Sequence, residues 1–377
     1  MRLSEQHAMM RDTVRRYARD RLWPNAARWE RERHFPRVEL TELAQMGLNA
    51  IAVPEQWGGA GMDSTATAIA FEEVSAGDPA CGTVMSVNNL VSGILNGYGS
   101  DAQKEKYLRP LAAGRMIGAF CLTEPQVGSD AGAITTRAER RGEQWVLNGT
   151  KQFITSGKNA DVAVVFAVSD KSAGKKGISA FVVPTSSKGW RVARVEDKAG
   201  QHASDTAQIA LEDCTVPAEN LLAQEGLGYR IALANLESGR INIAAQATGI
   251  ARAALEAALA YARERKSMGK TLIGHQAVNF RLADMATQVE AARQLYLHAA
   301  ALRDAGEPCL KEASMAKLFA SEMAEKVCSD AIQIHGGYGY VSDFPVERLW
   351  RAVRVCKIYE GASDIQRLVI GRALERG

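Results

Sequence analysis

The segment Trp145-Val146-Leu147-Asn148-Gly149-Thr150, near the middle of this 377-residue chain, decides how the chain divides. Its aromatic and β-branched residues are typical of a strand, and Asn-Gly is a strong signal for a hairpin turn. We therefore expect a strand that ends in a turn at Asn148-Gly149. Short apolar or alternating runs predict further strands at 162–168, 178–183 and 208–212. Together these patterns predict a mostly β domain over residues 116–225.

The sequence on both sides of this domain has helical periodicity. Before it, Ser4 is a candidate N-cap, and apolar residues recur three or four positions apart. After it, Val278 to Tyr296 forms one apolar seam, and another helix is expected from Pro308. Glycine-containing segments divide this region into four helical stretches, which predicts a four-helix bundle. The order helices, strands, helices predicts an α+β, mainly helical chain with three domains, at 1–115, 116–225 and 226–377, and not a Rossmann sheet.

Composition excludes several classes of protein. Lys and Arg total 46 against 43 Asp and Glu, so the net charge of +3 gives no reason to expect nucleic acid or an anionic membrane as partner. No apolar run approaches the ~18 residues of a membrane span. The Arg-rich N-terminus is interrupted by acidic residues, so we expect neither a transit peptide nor a signal peptide. The six cysteines form no CxxC pair and the six histidines are isolated, which predicts no metal site and fits a reduced, cytoplasmic compartment.

Two segments carry residues suited to chemistry, although the dinucleotide, P-loop, zinc-protease and nucleophile-elbow motifs are absent from the sequence. In Phe120–Asp130, Pro125 and Gly128 predict an irregular turn whose backbone N–H groups can bind a heteroaromatic ring or a phosphate. The alternative is an ordinary capped turn between strands. In Lys357–Gln366, Glu360 precedes a glycine and an expected N-cap at Ser363. A partly desolvated carboxylate there would have the raised pKa of a general base, and the alternative is a helix-capping acid.

The chain resembles the acyl-CoA dehydrogenase family of flavoenzymes along nearly its whole length. Eight motifs in the family's order carry the resemblance: Arg11–Ala18, Val53–Gly61, Leu122–Pro125, Ala203–Thr206, Glu264–Lys270, His275–Gln276, Gln333–Gly339 and Tyr359–Ser363. The resemblance implies an N-terminal α domain, a central β domain and a C-terminal four-helix bundle, matching the division already read from the patterns.

The resemblance also implies non-covalent FAD. The residues that match the family's FAD-binding positions are Phe120, Cys121, Leu122, Thr123, Gly128, Ser129, Phe153, Ile154, Thr155, Arg265, Lys266, Ser267, His275, Gln276, Gln333, Ile334, His335, Gly336, Gly337, Gly361, Ala362, Ser363 and Asp364. Phe153 replaces the family's usual Trp, keeping an aromatic face but losing an indole donor. In the family some of these contacts come from a neighbouring subunit, so a homodimer or homotetramer with FAD near the subunit interface is implied.

The activity implied is α,β-dehydrogenation of an acyl-CoA thioester to a 2-enoyl-CoA, in fatty acid or amino acid catabolism. Glu360 matches the family's base for the α-proton, the β-hydride passes to flavin N5, and an electron-transferring flavoprotein accepts the electrons. The residues that match substrate-side positions are Ser129, Glu237, Arg240, Glu360 and Gly361. Arg240 has an equal alternative as an ion-pair partner on its helix. The resemblance leaves the length of the acyl chain open.

Three departures from the family pattern refine this reading. Some members place the base at the position of Gly239, which leaves Glu360 as the only candidate of that kind. Members that act on glutaryl-CoA have an arginine where this chain has Gly82, so a dicarboxylyl substrate is disfavoured. Asp364 stands where many members have Gln or Glu. Two other readings stay open: an oxidase or another flavin reaction such as that of a desulfinase, and a catalytically inactive helical scaffold, which would be colourless.

Overall fold

The computed structural model describes residues 3–375, and in it a central sheet lies between two helical regions. The ends of the first and third predicted domains, residues 1–2 and 376–377, lie outside the described residues. The helices before the sheet are α1 Glu5–Tyr17, α2 Trp23–Glu32, α3 Arg37–Gln45, α4 Ser64–Gly77, α5 Pro79–Tyr98, α6 Asp101–Gln103 and α7 Arg109–Ala112. Ser4 is the N-cap of α1, as predicted, because its Oγ accepts a hydrogen bond from the His7 N–H at 3.1 Å.

The seven strands of the central sheet all lie between residues 118 and 217. They are β1 Gly118–Cys121, β2 Arg137–Arg141, β3 Gln144–Thr155, β4 Val162–Val168, β5 Ile178–Pro184, β6 Trp190–Val195 and β7 Thr206–Pro217. The order is β1-β4-β2-β3-β7-β6, and β5 pairs with β4. The pairing of β1 with β4 is parallel, whereas β2–β3, β3–β7, β4–β5 and β6–β7 are antiparallel. The strands predicted at 162–168, 178–183 and 208–212 are therefore confirmed.

The turn predicted at Asn148-Gly149 is wrong, because β3 continues through both residues. The pairing register between β3 and β7 shifts between Leu147 and Gly149, so the Asn-Gly pair forms an irregularity within the strand. Asn148 stabilises it across the sheet: its Oδ1 accepts from the Asp213 N–H at 2.8 Å, and its Nδ2 donates to Asp213 Oδ1 at 3.1 Å. The hairpin turn lies earlier, at the two-residue loop after Arg141, where Gly142 has a positive φ of 60°.

Between residues 226 and 375, the part of the chain after the sheet forms three long helices and two shorter ones. They are α8 Gly228–Glu264, α9 Gln276–Asp304, α10 Leu310–His335, α11 Pro345–Val353 and α12 Ser363–Glu375, with a small hairpin of β8 Lys266–Ser267 and β9 Lys270–Thr271 after α8. The predicted α9 seam is buried from Leu282 to Tyr296. The helix expected from Pro308 begins at Leu310, because the Cys309 carbonyl accepts the first helical hydrogen bond, from Ala313. The fourth predicted stretch is divided into α11 and α12 by a loop that carries Glu360.

The N-cap predicted at Ser363 is also wrong. Ser363 is the first residue of α12, and its Oγ is buried with no hydrogen-bond partner. The preceding residue, Ala362, accepts the first helical hydrogen bond from the Gln366 N–H at 3.1 Å, so Ala362 occupies the cap position. This places Gln366 in the first turn, beside the loop.

One buried hydrophobic cluster connects the layers. It extends from α1–α5 through one face of the sheet to α8, α9 and α10, and α8 packs against both α4 and α10. A second cluster lies between α5, the other face of the sheet and the start of α8. Because α8 belongs to both clusters, it holds the helical regions and the sheet in one arrangement. Within residues 3–375, no helix is long and apolar enough to cross a membrane.

Candidate active site

The carboxylate of Glu360 lies on the loop between α11 and α12. Its backbone φ is 53°, in the left-handed region that non-glycine residues rarely adopt, and Gly361 follows with a φ of 88°. The Glu360 Oε2 is excluded from solvent and has no hydrogen-bond partner. A buried carboxylate oxygen without a donor is costly for stability, so its retention points to a functional role.

Gly239 on α8 makes room for this carboxylate. A Cβ at position 239 would overlap the Glu360 Oε2, so any larger residue there would displace the carboxylate. The Glu360 carboxylate can therefore take this position because residue 239 has no side chain.

The surroundings of Glu360 favour the uncharged form of its carboxyl group more than water does. Burial raises the pKa of the Glu360 carboxyl to about 7, although the positive charges of Lys317 and Arg240 act in the opposite direction. A carboxyl with this pKa is a stronger base than an ordinary glutamate and is still partly ionised at physiological pH.

Arg240 and Glu237 do not pair with each other in α8. Arg240 is buried and donates from Nη1 to Ser314 Oγ at 3.3 Å, while its Nε has no partner. No ion pair involves Arg240 among the described residues, which rules out its alternative role as an ion-pair partner on α8. Glu237 instead accepts from Arg303 at 3.1 Å and from the Cys309 thiol at 3.3 Å.

A cavity of about 210 Å³ opens beside Glu360 and runs between α5 and α8. Its apolar lining includes Val53, Leu90 and Ile241. Its polar lining includes Ser86, Asn89, Asn235, Ser238, Asn242 and Arg303. The cavity therefore has room for a small acyl group but is not a wholly apolar tunnel.

A chain of buried hydrogen bonds supports the loop from behind. The Tyr359 hydroxyl donates to Gln246 Oε1 at 2.6 Å, and the Gln246 Nε2 donates to Thr83 Oγ1 at 2.8 Å. Thr83 in turn donates to Gln201 Oε1 at 2.6 Å. These bonds join α5, α8 and the loop before β7 to the residue next to Glu360.

Gly82, which the family resemblance aligns with an arginine of glutaryl-specific members, is packed tightly. A Cβ there would collide with Ser75 Oγ on α4. A side chain at position 82 would therefore require Ser75 to shift, so Gly82 fits closely against α4.

The loop after β1 is held by a fully buried ion pair. The Lys151 Nζ, on β3, donates to Glu124 Oε1 at 2.8 Å and to the Leu122 carbonyl at 3.1 Å. The Glu124 carboxylate also accepts from the backbone N–H groups of Thr135 and Thr136. Burial acts to raise the pKa of Glu124, but Lys151 and these donors lower it to about 2. The pair fixes the first predicted flavin segment against the second.

The predicted flavin residues on these two segments divide by exposure. Thr123 is half-buried, Gly128 and Ser129 are exposed, and Phe120 packs edge-on against Phe166. On β3, Phe153 is 64% exposed with a φ of 57°, and Thr155 is half-buried. The Gln152 N–H donates to the Thr123 carbonyl at 2.9 Å, which places the two segments side by side.

The predicted diphosphate and adenosine residues form a separate group. Arg265, Lys266 and Ser267 lie exposed at and after the end of α8, and the Arg265 guanidinium lies 5.6 Å from the centroid of the Tyr338 ring. His275 hydrogen-bonds to the Ser267 carbonyl at 3.0 Å, and Gln276 begins α9. Gln333, Gly336 and Gly337 are exposed at the end of α10, and a Cβ at either glycine would meet no atom within 4 Å.

Apart from the loop of Glu360, five predicted cofactor residues direct their side chains inward. Cys121, Leu122, Ile154, Ile334 and His335 are buried, and the His335 ring stacks on Tyr261 with centroids 4.3 Å apart. Around Glu360, Gly361 and Ala362 are half-buried, Ser363 is buried, and Asp364 is exposed and pairs with Arg367 at 3.3 Å.

The structure thus gathers the predicted residues into three groups: 120–129 with 153–155, 265–276 with 333–337, and 237–240 with 360–364. No hydrogen bond or ion pair joins the first two groups among the described residues. Sequence reasoning missed Lys317, Gln366 and the Lys151–Glu124 pair. The available signal for Lys317 was its place between Ala313 and Ala320 on the apolar face of α10, where a solvated lysine would not lie.

The donors in these groups fit a flavin dinucleotide better than a metal ion. The first group offers backbone N–H groups and an exposed aromatic ring, and the second offers a guanidinium and open glycine backbone, which suit a planar ring and a diphosphate. Across residues 3–375 there is no cluster of three or more His, Cys, Asp or Glu side chains placed to hold a metal ion.

Comparison with known proteins agrees with this geometry. Residues 4–115, 119–214 and 226–375 match the N-terminal, middle and C-terminal domain models of acyl-CoA dehydrogenase. The chain belongs to the acyl-CoA dehydrogenase family. The predicted α+β fold of this family is confirmed, and the chain is an oxidoreductase flavoprotein of the acyl-CoA dehydrogenase class.

Individual relatives cover the chain almost completely. The mitochondrial short-chain specific acyl-CoA dehydrogenase of Rattus norvegicus is 48% identical, covering 99% of this chain and 91% of that protein. The structure of butyryl-CoA dehydrogenase from Megasphaera elsdenii superposes with a TM-score of 0.96 at 38% identity, covering 100% of both chains. A chain in a structure described as the electron transferring flavoprotein of Acidaminococcus fermentans gives 0.97 at 44% identity, also over 100% of both. A glutaryl-CoA dehydrogenase of Mycobacterium smegmatis in complex with FADH2 gives 0.94 at 32% identity, covering 100% of this chain and 96% of that one.

Proposed function

We propose that this acyl-CoA dehydrogenase converts a short-chain acyl-CoA to its 2-enoyl-CoA, with Glu360 as the base that removes the α-proton. The observation that carries the proposal is the Glu360 carboxylate beside a cavity of about 210 Å³, with its Oε2 excluded from solvent and without a hydrogen-bond partner. The α C–H of a thioester is too weak an acid for a carboxylate in water, so the base has to be desolvated and close to the carbon.

The backbone N–H of Glu360 is proposed to bind the thioester carbonyl and to stabilise the enolate that forms as the α-proton leaves. Gly239 leaves space for the carboxylate, and Arg240, Ser129, Glu237 and Gly361 are the proposed contacts to the substrate and its CoA portion. The left-handed backbone at Glu360 directs this N–H and the side chain independently of the regular helix that follows.

FAD is the proposed cofactor, and it supplies the acceptor for the β-hydride. The residues proposed to hold the flavin ring belong to 120–129 and 153–155, and those proposed to hold the diphosphate and adenosine belong to 265–276 and 333–337. Many residues of the group 265–276 with 333–337 are exposed, and so are their neighbours Met268, at 93%, and Tyr340, at 87%. This exposure supports a homodimer or homotetramer in which a second copy completes the site. A cytoplasmic location stays a prediction, as do the domain boundaries 1–115, 116–225 and 226–377.

A short acyl chain is supported by the polar lining of the cavity. A long hydrocarbon chain would remove water from Ser86, Asn235 and Asn242 without replacing their hydrogen bonds, which is unfavourable. The names of the relatives, short-chain specific and butyryl-CoA dehydrogenase, agree with this inference. The proposed electron acceptor is an electron-transferring flavoprotein, as the resemblance to the family implies.

The test is anaerobic bleaching of the bound flavin by butyryl-CoA in the wild type and in Glu360→Gln. Glutamine keeps the shape of the side chain but accepts no proton, so the variant should retain FAD while the bleaching rate falls by ~10²–10⁴-fold. Octanoyl-CoA should bleach the wild type more slowly than butyryl-CoA.

Near-normal bleaching by Glu360→Gln would disprove the role of Glu360 as the base. A protein isolated without flavin would support the alternative hypothesis of a catalytically inactive helical scaffold. Peroxide formation at the turnover rate in air would instead assign an oxidase.

A further inference from the structure

The loop that carries Glu360 has two consecutive residues in left-handed backbone geometry, at φ values of 53° and 88°. Glycine adopts this region freely, whereas glutamate does not, so the conformation of Glu360 has to be held by its surroundings. The residues that hold it contact the two backbone carbonyls of the turn.

Gln366, in the first turn of α12, contacts both carbonyls. Its Nε2 donates to the Glu360 carbonyl at 3.2 Å and to the Gly361 carbonyl at 2.9 Å, and the side chain is fully buried. A Cβ at position 361 would lie 2.6 Å from this Nε2, so the glycine is required for the close approach as well as for the positive φ.

Lys317, on α10, contacts the same turn. It is fully buried, and its Nζ donates to the Gly361 carbonyl at 2.7 Å. Within residues 3–375 it forms no ion pair, and its desolvation is offset by this carbonyl and by the nearby groups Cys356, Glu360 and Glu322. A buried lysine at such a place is expensive unless it serves the group beside it.

We propose that Lys317 and Gln366 form a carbonyl clamp, a pair of positioning residues that holds the Glu360–Gly361 turn in the geometry needed for proton abstraction. Gln366 supplies only hydrogen bonds, whereas Lys317 supplies a hydrogen bond and a positive charge that favours the ionised form of Glu360. This inference rests on the proposed role of Glu360 as the base.

The charged and titratable groups around Glu360 come from three directions. Arg240 faces it from α8 and Lys317 from α10, while Cys356 and Tyr359 precede it on its own segment, and Glu322 acts on Lys317 from the next turn of α10. Burial raises the pKa of Glu360, and Lys317 and Arg240 oppose this effect. Removal of the Lys317 charge should therefore raise the pKa of Glu360 further.

The test compares flavin bleaching by butyryl-CoA across pH in Lys317→Met, Gln366→Leu and Lys317→Arg. In Lys317→Met the acid limb of the bleaching rate should move to higher pH by ~1 unit or more, because a nearby cation has been lost. In Gln366→Leu the rate should fall with the limb unmoved, and in Lys317→Arg the limb should stay near its wild-type position. The matched control is Lys326→Met, an exposed lysine on the same helix that pairs with Asp330, and it should change neither rate nor limb.

An unmoved limb in Lys317→Met, or an equal shift in Gln366→Leu, would overturn the electrostatic part of the clamp. Hydrogen exchange of the peptide covering 358–366 tests the clamp without any turnover. Exchange should quicken in Lys317→Met and Gln366→Leu but not in Lys326→Met, and unchanged exchange would overturn the clamp. Wild-type protein that butyryl-CoA does not bleach would contradict the proposed function, while the exchange result would still decide the clamp.

Discussion

At the scale of single residues, the site depends on the missing side chain of Gly239, which makes room for the Glu360 carboxylate. The Glu360 Oε2 occupies the space where a side chain at position 239 would begin. Because the colliding atom is the end of a flexible side chain, a larger residue there should move the carboxylate without unfolding the protein.

Gly239→Ala is therefore expected to keep FAD and thermal stability while turnover with butyryl-CoA falls by ~10–10²-fold, the cost of misplacing a catalytic group by about 1 Å. Turnover is measured against Gly371→Ala, a glycine with no atom within 4 Å of its Cβ position. Wild-type turnover in Gly239→Ala would show that the carboxylate does not need this space.

Sequence patterns predicted this residue-level chemistry only in part. Glu360 was identifiable because it lies in a recognisable motif next to Gly361. Lys317 and Gln366 act through contacts across 44 and 5 residues of chain, respectively, and the contact from Lys317 depends on how α10 packs. A local pattern contains no record of such packing.

At the scale of elements, the two segments predicted to bind the flavin, 120–129 and 153–155, are joined by the buried Lys151–Glu124 pair. Both side chains are excluded from solvent, and 27 residues separate them along the chain. Removing one partner of a buried pair leaves the other charge uncompensated, which is far more costly than losing a surface ion pair.

Lys151→Met should lower the free energy of unfolding by roughly 3–5 kcal/mol and weaken FAD retention, because the loop of residues 122–136 loses its anchor on β3. Denaturant unfolding and flavin absorbance measure the two effects, with Lys188→Met, an exposed lysine of the same region, as the control. Equal stability of the two variants would mean that the pair does not hold the loop.

Element types were predictable where burial gives a clear pattern, as in the continuous apolar run of β4, Val162–Val168. The predictions were wrong where a side chain made a tertiary contact. Asn148 bonds to Asp213 across the sheet and so forms a strand irregularity instead of a turn. The Gln366 N–H bonds to the Ala362 carbonyl, so Ser363 lies inside the helix instead of at its cap.

At the scale of the whole molecule, the order of helices, strands and helices was readable from periodicity alone, and family resemblance supplied the arrangement. Periodicity does not predict that α8 contributes to both hydrophobic clusters. Nor does it predict that α8 brings Gly239 and Arg240 beside the loop of Glu360, more than a hundred residues away. The proposed assembly with a second copy follows from the exposed second group and from the family, and not from any local pattern.

The most direct test of the central claim is the pH dependence of flavin bleaching by butyryl-CoA in the wild type, followed anaerobically by stopped flow. Glu360 acts as a base only when ionised, and burial raises its pKa to about 7. The bleaching rate should therefore be low at acidic pH, rise through about pH 7 and level off above it. A rate that is constant across this range, or that levels off at the pKa of an ordinary solvated glutamate, would contradict a desolvated Glu360 as the catalytic base.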